Sequence, residues 1–360
     1  MKNLTSKYTL KPFELFFIIL NLSTCRIFTE YASFLPRNSG SSAPFSALFS
    51  GIIVFLIVRF LILICEKNNV ESILNLLPNK LRIPFFLILF SYLTFSSVSN
   101  LMFAGDLIKE IAFPSAPMIF ILLIILLGAV VCCSQGFNAI SRLHSIIIPL
   151  SVFLILPVLL FSLAYGKTDN LFPLYGYGLS TTFSNSIFSM GLYGDIIVLF
   201  LLLPFCNKKT YLRKNALFSL ASAIVINTSI ITVFTLLTPY SVTNTITHPY
   251  LELVKLFSAG RFFQRVDGYF LYIFCGCAVL SIATIFFVMS YSAKETFSLP
   301  KLRPLPYSFA LTTLFSALII CSSENSFIIN VFGLLTLFIS VIIILTIISV
   351  WLILKRRKKL

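Results

Sequence analysis

The chain has 360 residues, of which 58% are apolar and only 11% charged, and its formal net charge at pH 7 is +15. Soluble globular proteins are roughly 45–50% apolar and about 25% charged, so this chain cannot form a water-facing surface in proportion to its core. The composition excludes a soluble enzyme, a disordered protein and a nucleic-acid-binding domain, and the long, uniformly apolar segments exclude a transmembrane β-barrel.

Three long stretches contain no charged residue, namely 111–141, 215–251 and 325–354. A helix needs ~20 apolar residues to cross a hydrocarbon layer about 30 Å thick, and it satisfies its own backbone hydrogen bonds there. The sequence therefore predicts an all-α polytopic membrane protein. The excess of Lys and Arg is typical of short cytoplasmic loops and requires no nucleic-acid partner.

Ten apolar segments are predicted to be transmembrane helices. They lie near residues 12–35, 44–65, 83–107, 116–134, 145–165, 185–205, 216–240, 267–291, 307–322 and 329–354. Together they predict a single integral membrane domain over 1–360. Basic residues collect in loops 206–214 and 294–303 and in the tail 355–360, which predicts that these loops and both termini are cytoplasmic.

The N-terminal segment also admits a second interpretation. Basic residues precede an apolar run there, and the letters LSTC at 22–25 resemble a bacterial lipoprotein cleavage box. Thr24 just before the cysteine and Glu14 within the run disfavour that interpretation, and cleavage would remove half of the first predicted span. We therefore favour a first transmembrane helix.

Ten spans with both ends inside permit a five-plus-five inverted repeat, with repeat one at about 12–165 and repeat two at about 185–354. In transporters of this kind the first helix of each half is broken, and the freed backbone groups hold the substrate. Span six contains the sequence GLYGD at 191–195, and span one contains the polar interruption NLSTCR at 21–26. The sequence therefore predicts broken helices 1 and 6.

Charged residues inside a span are costly, so each one marks a candidate site. Asp195 has no basic residue close to it in sequence, so its partner must be another helix, a ligand or a proton. Arg26 and Glu30 are four residues apart and share a helix face. They are interpreted either as a pair that neutralises itself or as a gate or ion pair that coordinates a zwitterion.

The candidate substrate-binding residues lie at the two predicted breaks or on span three. They are Thr24, Cys25, Tyr92, Ser96, Asn100, Gly191, Tyr193, Gly194 and Asp195. The eight cysteines have no metal-ligand spacing, and the two histidines, His144 and His248, are predicted to lie in loops. The sequence thus offers no metal site, no cofactor site and no nucleophile–histidine arrangement of an enzyme.

Four stretches resemble a known family. They are SQGFNAISRL at 134–143, GD at 194–195 followed by LLPF at 202–205, THPYLELV at 247–254, and GRFFQRVD at 260–267. These stretches are similar to the spore germination receptor B subunits, the GerAB/GerKB permease family, which resembles the amino acid–polyamine–organocation (APC) transporters. The resemblance implies a LeuT/APC-like fold and a nutrient germinant receptor subunit in the inner membrane of an endospore.

The resemblance also implies partners and a ligand. The partners would be an A-type membrane subunit and a C-type lipoprotein, and the ligand a small amino-acid-like nutrient in a midplane pocket. The outer segment 252–267, where the resemblance is densest, is predicted to contact the partners. The alternative function is a secondary amino acid transporter coupled to H⁺ or Na⁺, because the same pocket would serve both.

Span one departs from the family pattern. The family usually has a glycine-containing stretch there, whereas this chain has STCRIFTE at 23–30, which adds Arg26 and Glu30. The departure implies either an altered solute specificity or a degenerate paralogue.

Overall fold

The protein is built from helices throughout the part of the chain that the computed structural model describes. That part comprises residues 10–28, 31–68, 79–206, 209–239, 266–300 and 304–321, together with residues 70, 72, 74 and 302. The helices there are α1 (Pro12–Cys25), α2 (Tyr31–Ser39), α3 (Ala43–Lys67), α4 (Asn79–Ile111), α5 (Met118–Ser134), α6 (Phe137–Leu163), α7 (Leu179–Phe188), α8 (Ile197–Leu201), α9 (Lys209–Leu237), α10 (Val266–Phe297) and α11 (Leu305–Cys321).

The first nine predicted segments each fall on a described helix or on a pair of helices. Six helical stretches in the described part are long and apolar enough to cross a membrane, and α5 and α11 are shorter apolar helices. The prediction of an all-α polytopic membrane protein is confirmed at this level. The tenth segment, the basic tail at 355–360 and residues 252–265 of the outer segment lie outside the described residues.

The distribution of polar side chains is the inverse of that in a soluble protein. On α6, Ile146, Phe153 and Leu160 are 67%, 68% and 68% exposed, whereas His144 and Ser141 on the same helix are fully buried. A large exposed apolar surface is unfavourable in water but not in lipid, and a buried polar group needs a partner in either solvent. The outer surface of α6 is therefore suited to lipid and its inner surface to polar contacts.

The helices form two groups that meet at the end of α1. In one group α9 packs against α1 and α3, and α3 packs against α7. In the other, α4, α5, α10 and α11 pack against one another. α6 contacts both groups, through α1 and α9 on one side and α10 on the other. Residues at the C-terminal end of α1 are thus placed where the two groups face each other.

Contacts near the ends of the helices identify two ends of the molecule. At one end, the Arg213 guanidinium lies 3.1 Å from the Glu66 carboxylate, and the Leu10 amide donates to the Phe205 carbonyl at 2.8 Å. At the other end, the Lys167 amide donates to the Leu236 carbonyl at 3.0 Å. Arg213 and Leu236 lie near opposite ends of α9, so the contacts of Arg213 with Glu66 and of Lys167 with Leu236 mark opposite ends of the molecule.

The absolute orientation of these two ends stays a prediction. In a chain without its native cysteines, Lys209→Cys should react with a membrane-impermeant maleimide only after the membrane is opened. Thr168→Cys, in the loop at the opposite end, should react in intact cells and serves as the matched control. Labelling of Lys209→Cys from outside intact cells would overturn the topology, because the Lys and Arg distribution predicts that this loop is cytoplasmic.

A glycine holds the loop at that opposite end against the turn after α2. Gly176 has φ +51°, and a Cβ atom placed there would lie 2.1 Å from the Ser39 carbonyl oxygen. Non-glycine residues adopt this backbone region at a cost of roughly 1–3 kcal/mol, and here a backbone clash is added. The tight approach of these two segments therefore requires glycine.

Gly176→Ala should lower the apparent Tm of the purified protein by several degrees. Gly268→Ala is the matched control, since nothing lies within 4 Å of a Cβ at that helical position, and alanine favours a helix more than glycine does. Thermal unfolding in detergent compares the two variants. Equal Tm values for both would show that the contact between Gly176 and Ser39 is not needed.

Candidate functional site

The first helix is interrupted at the position where the sequence is polar. α1 ends at Cys25 and continues as a 3-10 turn over Arg26–Phe28. The Thr24 hydroxyl donates to the Leu20 carbonyl of its own helix at 2.7 Å. Hydroxyl groups that bond backward in this way compete with the helical hydrogen bonds and often bend a helix. The interruption thus arises without a glycine or proline.

The sixth span is interrupted over a longer stretch. Between α7 and α8 the chain forms a 3-10 helix over Ser189–Ile196, and every residue in it is buried. Gly191 and Gly194 destabilise an α-helix by roughly 1 kcal/mol each relative to alanine, which favours the departure there. The Gly191 carbonyl accepts a hydrogen bond from Arg26 Nη1 at 3.1 Å. Both predicted breaks therefore lie in contact with each other.

An ion pair joins the two interruptions. Arg26 Nε lies 3.0 Å from Asp195 Oδ2, and Arg26 Nη2 lies 3.0 Å from Asp195 Oδ1. The two side chains are 2% and 0% exposed. Two parallel N–H···O bonds are the bidentate geometry of a guanidinium with a carboxylate, and such pairs hold a precise orientation. The partner of Asp195 thus comes from span one.

Span three completes the surroundings of the carboxylate. The Tyr92 hydroxyl donates to Asp195 Oδ1 at 2.7 Å, and the Ser96 hydroxyl lies 2.8 and 2.9 Å from the two carboxylate oxygens. Tyr92 and Ser96 are four residues apart, so they share a face of α4. Arg26 Cζ also lies 5.4 Å from the centre of the Tyr92 ring, within the range of a cation–π contact. A buried pair is stable only when its remaining lone pairs are satisfied in this way.

A second group of polar contacts lies one turn away from the ion pair. The Cys25 thiol lies 3.7 Å from Asn100 Oδ1, and Asn100 Nδ2 donates to the Ser281 hydroxyl at 3.1 Å. These contacts connect α1 through α4 to α10. Asn100 therefore lies on the face of α4 that holds Tyr92 and Ser96 but does not contact Asp195.

A third group involves a histidine that the sequence placed wrongly. His144 is fully buried in α6, not in a loop. Its Nε2 lies 3.3 Å from Asn21 Nδ2, and its Nδ1 lies 2.9 Å from the Ile140 carbonyl. Asn21 Nδ2 also donates to the Cys277 carbonyl at 3.0 Å. The polar start of α6 resembles a loop in sequence because its polar residues face the protein interior instead of water.

Two further candidate residues directly precede Asp195 in the 3-10 helix. Tyr193 is fully buried, and its hydroxyl lies 3.2 Å from the position that a Cβ on Gly51 would take, so it faces α3. Gly194 is buried within the 3-10 helix. Glu30 lies outside the described residues, so its predicted pairing with Arg26 stays a prediction.

A small cavity lies beside the residues that precede Arg26. Its free volume is about 10 Å³, which leaves room for about one water molecule. Its lining combines residues of α1, the turn after α1, α6, α9 and α10, namely Asn21, Thr24, Cys25, Phe28, Ser151, Val152, Ile155, Ile226, Phe274 and Cys277. The Phe28 and Phe274 rings, whose centres are 4.1 Å apart, belong to this lining.

The fold is similar to that of solved transporters. It matches MhsT in complex with L-phenylalanine with a TM-score of 0.69 at 14% identity, covering 91% of this chain and 87% of that one. It matches Mhp1, a nucleobase-cation-symport-1 family transporter in a closed conformation with bromovinylhydantoin bound, with a TM-score of 0.67 at 11% identity, covering 91% and 75%. At these identities the similarity shows the fold alone, which is that of a membrane transporter.

Two curated relatives from Bacillus subtilis (strain 168) are similar in sequence. Spore germination protein YndE is 27% identical over 187 residues, which is 49% of this chain and 48% of that protein. Spore germination protein B2 is 21% identical over 242 residues, 65% and 66% of the two chains. The matched part thus spans about half of the first relative and just under two thirds of the second.

A family model covers most of the chain. The spore permease model, described as "Spore germination protein", matches residues 9–327. This range includes both helix interruptions and all the side chains around Asp195. The family and the fold are those of permeases rather than of enzymes. The chain belongs to the spore permease family of spore germination proteins.

Proposed function

We propose that this protein is a nutrient germinant receptor subunit of an endospore, which binds a small amino-acid-like solute and signals to partner subunits. Membership of the spore germination family supports the biological role. The observation that carries the molecular role is the position of the small cavity. Thr24 and Cys25 line it, and the next residue, Arg26, is paired with Asp195. A solute in this cavity would contact the residues that immediately precede Arg26, and would therefore act on the ion pair through α1.

The cavity must enlarge to admit an amino acid, since it now holds about one water molecule. Opening would separate the Phe28 and Phe274 rings, which belong to the turn after α1 and to α10. A solute that binds only the open form shifts the population toward it by its differential affinity. Solute binding would therefore move the α1 turn relative to α10.

The chemistry of the cavity suits a zwitterion. Carbonyl groups at the C-terminal end of a helix carry partial negative charge and favour an ammonium group, and α1 ends at this cavity. The hydroxyls of Thr24 and Ser151 now donate within their own helices, to Leu20 and Ile148, and can turn toward a carboxylate. Both functional groups of an amino acid thus find complementary partners here.

The partners that we propose are an A-type membrane subunit and a C-type lipoprotein, with both termini of this chain in the cytoplasm. Membership of the family supports these partners, and we propose that they contact the outer segment 252–267, which combines apolar residues with Arg261 and Arg265. Charge reversal at both arginines should reduce co-purification of the A-type subunit while the chain still inserts in the membrane. Unchanged co-purification would argue against this segment as the partner surface.

The receptor proposal is tested in spores. Spores with and without this chain are exposed to each of the standard L-amino acids singly, and germination is followed by the loss of optical density. A response to at least one amino acid that depends on the chain supports the receptor. Identical responses from both kinds of spore to every amino acid would contradict it.

The alternative is a secondary amino acid transporter coupled to H⁺ or Na⁺, and the observation in its favour is the transporter fold. The two functions are separated by uptake of labelled L-amino acids into vesicles that contain only this chain. A transporter accumulates solute by itself against a gradient. A receptor subunit should bind solute without accumulating it.

A further inference from the structure

The carboxylate of Asp195 has its full number of hydrogen-bond donors. Arg26 Nε, Arg26 Nη2, the Tyr92 hydroxyl and the Ser96 hydroxyl all lie within 3.0 Å of one or both of its oxygens. An ionised carboxylate has about four lone-pair sites for such donors. The described side chains alone therefore saturate this acid, and no acceptor site remains for a bound cation.

The guanidinium of Arg26 occupies the position between the two helix interruptions. It donates to a backbone carbonyl, Gly191 O, and to a carboxylate, Asp195. Carbonyl and carboxylate oxygens at broken helices are also the groups that coordinate a coupling metal ion in transporters. Arg26 thus uses the ligands that such an ion would need, and supplies one positive charge in its place.

We propose that Arg26 is a resident cation, so that Asp195 and the 191–195 stretch function without a bound monovalent metal ion. The consequence for the solute is that it is recognised alone, as a neutral or zwitterionic molecule without a co-ion. Recognition of the solute without a co-ion rests on the proposed receptor function. The replacement of a metal ion by Arg26 does not rest on it. The planar fork of the guanidinium suits this role, since it binds two oxygens of one carboxylate at once.

The proposal is tested by thermal unfolding of the purified full-length protein in Na⁺ or in choline at equal ionic strength. Choline is too large for the space of a guanidinium. The wild-type protein should have the same Tm in both salts. Arg26→Ala should have a lower Tm in choline, and Na⁺ or methylguanidinium should raise that Tm by several degrees in a saturable manner, as expected for ligands that bind only the folded state. Arg26→Gln tests the same point if Arg26→Ala does not fold.

The double variant Arg26→Ala/Asp195→Asn removes the negative charge as well. It should show no difference between Na⁺ and choline, because no carboxylate remains to bind the cation. The proposal would be overturned if Na⁺ raised the Tm of the wild-type protein but did not change the Tm of Asp195→Asn. Folded Arg26 variants that respond to neither Na⁺ nor methylguanidinium would also overturn it. None of these readouts uses a nutrient, so failure here is distinguishable from failure of the receptor proposal.

Discussion

Asp195→Ala should destabilise the folded protein by about 3–5 kcal/mol, because it removes one charge of the buried ion pair between Arg26 and Asp195. Arg26→Ala should have a similar effect for the same reason. The double variant Arg26→Met/Asp195→Leu replaces the pair by apolar side chains, and it should recover most of the loss. Unfolding in mixed micelles with increasing denaturing detergent measures these differences.

The matched control is the ion pair between Arg213 and Glu66, whose side chains are 46% and 18% exposed. Arg213→Ala should cost at most ~1 kcal/mol, since partly solvated pairs contribute little. A loss for Asp195→Ala no larger than for Arg213→Ala would contradict the buried ion pair. A double variant less stable than both single variants would contradict the explanation by an uncompensated charge.

Ser96→Ala should raise the half-maximal nutrient concentration by roughly 10- to 150-fold while the protein level stays normal. The substitution keeps the ion pair but removes one hydrogen bond to a charged group, worth about 1.5–3 kcal/mol. The bond joins α4 to the carboxylate that holds the two interruptions together, so its loss should weaken the response. Tyr92→Phe should act in the same direction, since it removes the other donor from α4.

Ser97→Ala is the control for both variants. Ser97 is also fully buried on α4, but its hydroxyl donates to the Leu93 carbonyl of its own helix at 2.7 Å. Its dose–response curve should match that of the wild-type chain. Normal curves for Ser96→Ala and Tyr92→Phe would show that the contacts from α4 serve only to stabilise the fold.

The helices and the interruptions follow from local sequence. Long uncharged runs place the spans, and the two glycines at 191 and 194 mark the interruption of the sixth. The sequence predicts Tyr92, Ser96 and Asn100 of span three as candidate binding residues, and their spacing of four keeps the side chains on one helix face. The structure brings two of them to Asp195 and the third to Cys25.

The pairing of Arg26 with Asp195 could not be predicted from the spacing of charged residues in the sequence. Arg26 and Asp195 are 169 positions apart, and no pattern along the chain connects two residues at that distance. Glu30 lies only four positions from Arg26, so the sequence favours Glu30 over the distant Asp195 as a partner of Arg26. The signal that could have found the pair is the chemistry alone: a buried acid and a buried base, on the two broken helices of one bundle, neutralise each other most readily.

The most direct test of the proposed site is equilibrium binding of labelled L-amino acids to the purified full-length chain in lipid nanodiscs. Ser151 lines the cavity, and Ser145, on the same helix, does not. The wild-type chain and Ser145→Leu should bind at least one amino acid saturably, and Ser151→Leu should abolish that binding, because the larger side chain fills the cavity. Binding that Ser151→Leu leaves unchanged would place the solute elsewhere and contradict the account.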